Sequence, residues 1–341
     1  MEYKRIRDFG ITIGSLKPGP LNKITDVAGV MVGHCTIQDA AHNTGVTLVL
    51  PASGNIFKEK LIAACFVLNG FCKSLGLLQI DELGVIETPI ALTNTLNVGL
   101  VHDALVDYMI THYDNNITSV NPIVCECNDQ HFNTIKDRVI KKEDVLEAIK
   151  SATTNFMEGN VGAGRGTVCY DLKGGIGSAS RIIQIDHQEF TFGILVQTNH
   201  GHIDDFVLHH NPIGRQISKK ISSSNHQASG SIVTVIATDL PVSSRQLKRI
   251  IKRASIGLIH TGSYIGHRSG EVMIGFSTAN KINYESPSEL TTIQIINENS
   301  IEKAFRAVAE ATQEAILNSL VCSDSMTGLD QQLRYSLKDF L

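Results

Sequence analysis

Gly230-Ser231 is the first pair whose residue types and setting fit a covalent mechanism. Ser231 opens the β-branched run Ser231-Ile232-Val233-Thr234-Val235-Ile236-Ala237-Thr238, and the polar, Ser-rich stretch 221–230 leads into it. That pattern reads as an exposed loop ending on a buried strand. The Ser231 hydroxyl can attack the Gly230 carbonyl, which turns the peptide into an ester, and water then releases a new N-terminus. Glycine at 230 tolerates the contorted backbone that such an attack needs. The freed α-amino group titrates at about 7.7–8.0. Near neutrality it can serve as base for its own hydroxyl, without a histidine partner. A serine between a loop and a strand is also an ordinary turn, and these residues alone do not decide between the two.

Other stretches carry chemistry of their own. Arg268-Ser269-Gly270-Glu271 puts a hydroxyl and a carboxylate two apart, so on a strand Ser269 and Glu271 point the same way and can pass a proton or orient Ser231. Asn199, at the end of an apolar strand, is a candidate oxyanion donor. Glu126 in Glu126-Cys127-Asn128-Asp129 sits at another strand end, where a carboxylate is either paired or open to a cleft that takes a substrate ammonium. Gly162-Ala163-Gly164-Arg165-Gly166 precedes a strand instead of opening a helix after one, which speaks for tight backbone packing and against a dinucleotide site. His200-Gly201-His202-Ile203-Asp204-Asp205 approaches a dinuclear zinc pattern, with Asp205 where its last histidine would stand. A histidine-bearing surface loop is the plainer account of it.

Composition narrows the class. The 341 residues are 42% hydrophobic, 19% charged and 6% aromatic, as in an ordinary globular chain. Thirty Lys and Arg against 34 Asp and Glu leave a net charge of −4, with no basic excess for nucleic acid. The longest apolar run, Leu61 to Leu68, is eight residues, well short of the roughly 20 that a membrane span needs. The N-terminus has no apolar signal core, so cytoplasm is the expected location. Seven scattered cysteines read as buried small hydrophobes rather than a disulfide framework.

The elements that must position these residues read as α/β or α+β. Strands are predicted at Val46–Leu50, Pro122–Cys127, Gly166–Leu172, Ile182–Ile185, Thr191–Thr198, Ser231–Thr238, Glu271–Ser277 and Thr292–Ile296. Helices are predicted at Val101–Thr111, Lys142–Thr153, from a Ser243 cap through Leu258, and at Ile301–Leu320. The basic face Lys248, Arg249, Lys252 and Arg253 reads as solvated surface.

Several of these stretches, in this order, resemble the L-aminopeptidase/D-esterase family, which includes β-peptidyl aminopeptidases. The similarity runs through Gly19-Pro20-Leu21-Asn22-Lys23-Ile24-Thr25-Asp26, Glu87-Thr88-Pro89-Ile90, Lys173-Gly174-Gly175-Ile176-Gly177, Gln197-Thr198-Asn199, Gly230-Ser231-Ile232 and Ser269-Gly270-Glu271. The resemblance implies a four-layer αββα sandwich like that of N-terminal nucleophile hydrolases, with its own connectivity. It implies a single catalytic domain that cuts itself into residues 1–230 and 231–341, and cut pairs that assemble as homo-oligomers, often tetramers. Ser231 matches the nucleophile, Ser269 and Glu271 its assistants, Asn199 the oxyanion donor, and Glu126 the holder of the substrate amine. Asn128 stands where some relatives carry an aromatic residue beside the substrate, so specificity does not transfer.

The expectation is therefore a peptidase, amidase or esterase for small substrates with a free amine. It works through an acyl-Ser231 intermediate and needs no cofactor. Its rivals are a zinc hydrolase built on His200, His202 and Asp204, a non-catalytic oligomeric binding scaffold, and acyl transfer to an amine in place of water.

Overall fold

The computed structural model describes residues 4–341 except 115, 222–228 and 287. Most of the Ser-rich loop read ahead of Gly230 thus lies outside the described residues. The strands are β1 (Met31–Gln38), β2 (Asn43–Leu50), β3 (Glu59–Gly70), β4 (Val85–Ile86), β5 (Ile90–Asn94), β6 (Ile123–Cys127), β7 (Val168–Cys169), β8 (Leu172–Lys173), β9 (Ile176–Ile185), β10 (Gln188–Asn199), β11 (Ser229–Thr238) and β12 (Arg268–Asn283). The helices are α1 (Leu77–Leu83), α2 (Val98–His112), α3 (Lys142–Lys150), α4 (Gly214–Ile221), α5 (Ser244–Ile251), α6 (Ala254–His260) and α7 (Ile301–Val321). One sheet runs β1-β2-β5-β6 and the other β4-β3-β12-β11-β10-β9.

Alternation along the strands builds the layers. On β11, Val233, Val235 and Ala237 face the first sheet and pack with Leu92, Ile123, Cys125 and Cys127. Ile232 and Ile236 turn the other way, onto Leu247, Ile250, Ala307 and Ala311 of α5 and α7. Val46, Leu48 and Ala91 of the first sheet meet Val101, Leu105, Val145 and Ala148 of α2 and α3. The result is the expected four-layer αββα sandwich. Both faces of β11 are buried, which is why it reads as a continuous apolar run and not as alternation.

Three sequence expectations fail for local reasons. Gly166–Leu172 is not one strand. Tyr170 and Asp171 both take positive φ, 51° and 57°, and fold β7 onto β8 as a type I′ hairpin. Thr292–Ile296 forms no strand; the Asn280 side chain brackets its backbone, donating to the Gln294 carbonyl at 2.8 Å and accepting from its N–H at 3.0 Å. The helix capped by Ser243 is two helices, α5 and α6, interrupted at Lys252 and Arg253; α5 lies mainly on β3 and α6 on α7. Leu61–Leu68, too short to span a membrane, is the middle of β3, and no helix among the described residues is long and apolar enough to cross one. Five of the seven cysteines are buried, and the basic face is partly paired, Lys248 with Asp81 and Arg249 with Glu298.

Candidate active site

Strand register brings the predicted residues together. Ser231 lies on β11 between β10 and β12, with Asn199 directly opposite on β10 and Gly270 on β12. Gly230 is the register neighbour of Ser269. A Cβ built on Gly230, whose φ is +149°, would stand 1.8 Å from the Asn199 carbonyl oxygen, so only glycine fits the position before Ser231. Behind the site, Cys127 Sγ lies 3.6 Å from the carbonyl oxygens of both Gln197 and Ser231, which ties the two sheets together.

Asn199 is held in one orientation. Its Oδ1 accepts the Val168 N–H at 2.9 Å, which leaves the amide hydrogens for another acceptor. The carbonyl of the same peptide, on Thr167, accepts from Lys173 Nζ at 2.8 Å. Lys173 is fully buried and also donates to the carbonyls of Gly164 and Gly174, at 3.2 and 2.7 Å. The glycine-rich stretches are thus folded around an ammonium, consistent with the backbone-packing account. Burial draws the Lys173 pKa down, but three carbonyl acceptors match the three N–H bonds of the charged form. Nothing in the sequence pattern pointed to this cage beyond the presence of Lys173 beside Gly174-Gly175.

Glu126 comes from β6 of the other sheet and is almost fully buried. Its carboxylate accepts the Lys73 backbone N–H at 3.0 Å and the Thr95 hydroxyl. Thr95 directly follows β5, the parallel neighbour of β6, so the turn after that strand delivers the hydroxyl. Glu126, Asn128, Asn199, Gly230 and Ser231 all line one cleft of about 490 Å3, within the size range of small-ligand sites.

Ser269 and Glu271 do point the same way, and the Ser269 hydroxyl donates to Glu271 Oε1. They do not share the Ser231 face. Ser269 lines a separate small cavity with Gly262 and Gly266, beside Gly230 instead of beside the Ser231 side chain. Glu271 Oε2 is buried without a hydrogen-bond partner among the described residues. Burial pushes the Glu271 pKa up to about 7, against the opposing bond from Ser269. An ordinary glutamate in the unfolded chain loses its proton near 4.3. Between these values the folded chain holds the extra proton, so stability falls as pH rises through about 4.3 to 7. Glu271→Gln, compared in a Ser231→Ala background, is expected to flatten this slope. Unfolding free energies at pH 5 and 8.5 check it; the loss carried by Glu271 is on the order of 2–3 kcal/mol, and equal slopes would contradict it.

His200, His202 and Asp204 do not converge. His200 is buried against Cys169 and Tyr170, and burial lowers its pKa to about 3. His202 turns outward toward Asp171, 3.7 Å away, and accepts from the Asp204 N–H. Among the described residues no group of three ligating side chains is arranged for a metal ion. The zinc reading therefore has no site.

The same architecture recurs in solved structures. The PH0078 protein of Pyrococcus horikoshii OT3 superposes with a TM-score of 0.93 at 44% identity, covering 98% of this chain and 96% of that one. The L-aminopeptidase D-Ala-esterase/amidase of Ochrobactrum anthropi, described as a variant of the Ntn hydrolase fold, gives 0.90 at 31% identity, covering 98% and 95%. The β-peptidyl aminopeptidase BapA of Sphingosinicella xenopeptidilytica is 36% identical over 363 aligned positions, covering 98% of this chain and 88% of that protein. The pattern of peptidase family S58 matches residues 22–334. With fold, sequence and nearly full coverage in agreement, the chain belongs to peptidase family S58, an aminopeptidase family with an N-terminal nucleophile fold.

Proposed function

We propose that the chain cuts itself between Gly230 and Ser231 and then hydrolyses small peptides, amides or esters that carry a free amine. Ser231 Oγ attacks the Gly230 carbonyl, the acyl group moves from nitrogen to oxygen, and water opens the ester. Ser269 is the register neighbour of Gly230 and is bonded to Glu271, whose pKa near 7 suits the pair to take and return the proton. In turnover the new α-amino group takes the Ser231 proton. Asn199 donates to the oxyanion, Glu126 holds the substrate ammonium, and water releases the acyl group from Ser231.

The observation that carries this reading is the register that sets Asn199 and Ser231 side by side in the cleft that Glu126 also lines. The topology supports a stable cut form. Residues 231–341 supply most of β11 and all of β12, and these lie between β3 and β10 of residues 1–230. The two pieces would stay paired through the sheet, as one catalytic unit, and such units would assemble as homo-oligomers.

Intact mass and N-terminal sequencing test the proposal. The expected result is two chains of 230 and 111 residues, the smaller beginning at Ser231. An active preparation made only of uncut chain would refute it. The β-alanyl and alanyl p-nitroanilides are suitable first substrates, given what the relatives are named for.

A further inference from the structure

The charged side chains around Ser231 are not all paired with one another. Two carboxylates line the cleft and both have donors already. Glu126 accepts from Lys73 N and Thr95, and Asp171 accepts the Ile203 N–H at 3.0 Å and faces His202. Three long cationic side chains line it too: Lys73, Arg268 and Arg334. Arg334 is paired with Asp330 at 2.8 Å. Lys73 and Arg268 form no ion pair among the described residues; Lys73 Nζ lies over the Phe71 ring, 4.1 Å from its centroid.

Arg268 is placed with respect to the nucleophile. It stands two residues before Gly270, the register partner of Ser231, so alternation along β12 turns Arg268 to the Ser231 face and Ser269 away from it. The cleft-lining residues agree, with Arg268 in the Ser231 cleft and Ser269 in the separate cavity. Asn199 flanks Ser231 on the β10 side and Arg268 lies on the β12 side. With the carbonyl oxygen at Asn199 on the β10 side and the ammonium at Glu126 on the other sheet, the β12 side, where Arg268 lies, is the one left for the group beyond the scissile bond. A substrate whose one charge is an ammonium would meet Glu126 but leave Arg268 and Lys73 without an ion-pair partner. A zwitterion suits both ends.

We propose that the cleft is built for short zwitterionic peptides, in which Glu126 takes the ammonium and Arg268, helped by Lys73, takes a carboxylate on the leaving residue. Arginine is suited to this because its planar fork matches a carboxylate with two parallel hydrogen bonds. The inference rests on the reading of Ser231 as nucleophile given above, and it names the substrate class for that same site.

The test compares alanyl-alanine with alanyl-alaninamide, and β-alanyl-alanine with β-alanyl-alaninamide, which differ within each pair only in the carboxylate. The cut wild-type protein is expected to favour the acid by at least tenfold in kcat/KM, mostly through KM. Arg268→Met should bring the acid-to-amide ratio close to one, with Arg268→Lys between. A wild-type ratio within twofold of one, or a ratio that Arg268→Met leaves in place, overturns the proposal and leaves the aminopeptidase reading standing. A cut protein that hydrolyses none of the four compounds overturns both.

Discussion

Ser231→Ala is expected to leave the chain whole at 341 residues and to remove turnover. The substitution deletes the atom that the proposed mechanism uses for attack in both reactions, and nothing else in the cleft would replace it. Loss of a nucleophile from a working catalytic unit costs on the order of 10⁶ in kcat. The fold should survive. Ser231 is buried at the edge of the cleft, and trading its hydroxyl for hydrogen leaves β11 with the same ladder and the same apolar neighbours. The melting temperature should stay within a few degrees of that of an uncut control. Ser231→Cys keeps a nucleophile and should still be cut, at a lower rate. A denaturing gel and an amide assay on the three proteins check this. Two bands from Ser231→Ala would end the proposed mechanism.

How much of this was legible in the sequence depends on the range of the interaction. Gly230-Ser231 and the strand behind it were readable because a β-branched run buried on both faces is continuous in the chain. Helix α5 was readable at its start, where Ser243 accepts from Gln246 N and Gln246 reaches back to the Ser243 N–H. The face of the strand on which Ser269 and Glu271 lie was not. Spacing of two fixes their parallel direction but not the face, which depends on β12 pairing with β11 in one register. The break in Gly166–Leu172 was hidden for another reason. Tyr170 and Asp171 are unusual in the left-handed region, and the turn carries no glycine to announce it. The Lys173 cage is built from backbone carbonyls of three loop residues, and backbone acceptors leave no trace in residue types.

That cage bears on the second large effect, at Asn199. Asn199→Ala is expected to lower kcat by about 10²–10³ with little change in KM, as when one oxyanion donor is removed elsewhere. The size follows from fixed orientation. Val168 N–H holds Oδ1 at 2.9 Å, and Lys173 holds the Thr167 carbonyl of the same peptide at 2.8 Å, so the amide hydrogens need no reorganisation when the oxyanion forms. Asn199→Asp separates this account from simple loss of packing. An aspartate keeps the shape and can keep the bond from Val168, but it puts an acceptor, ionised at neutral pH, where the donor stood. It should therefore be slower than the alanine variant, although it conserves more atoms. Single-turnover acylation rates, normalised to the fraction of chain cut at Gly230, measure the order directly. An aspartate variant faster than alanine would mean that Asn199 shapes the cleft and does not carry the charge.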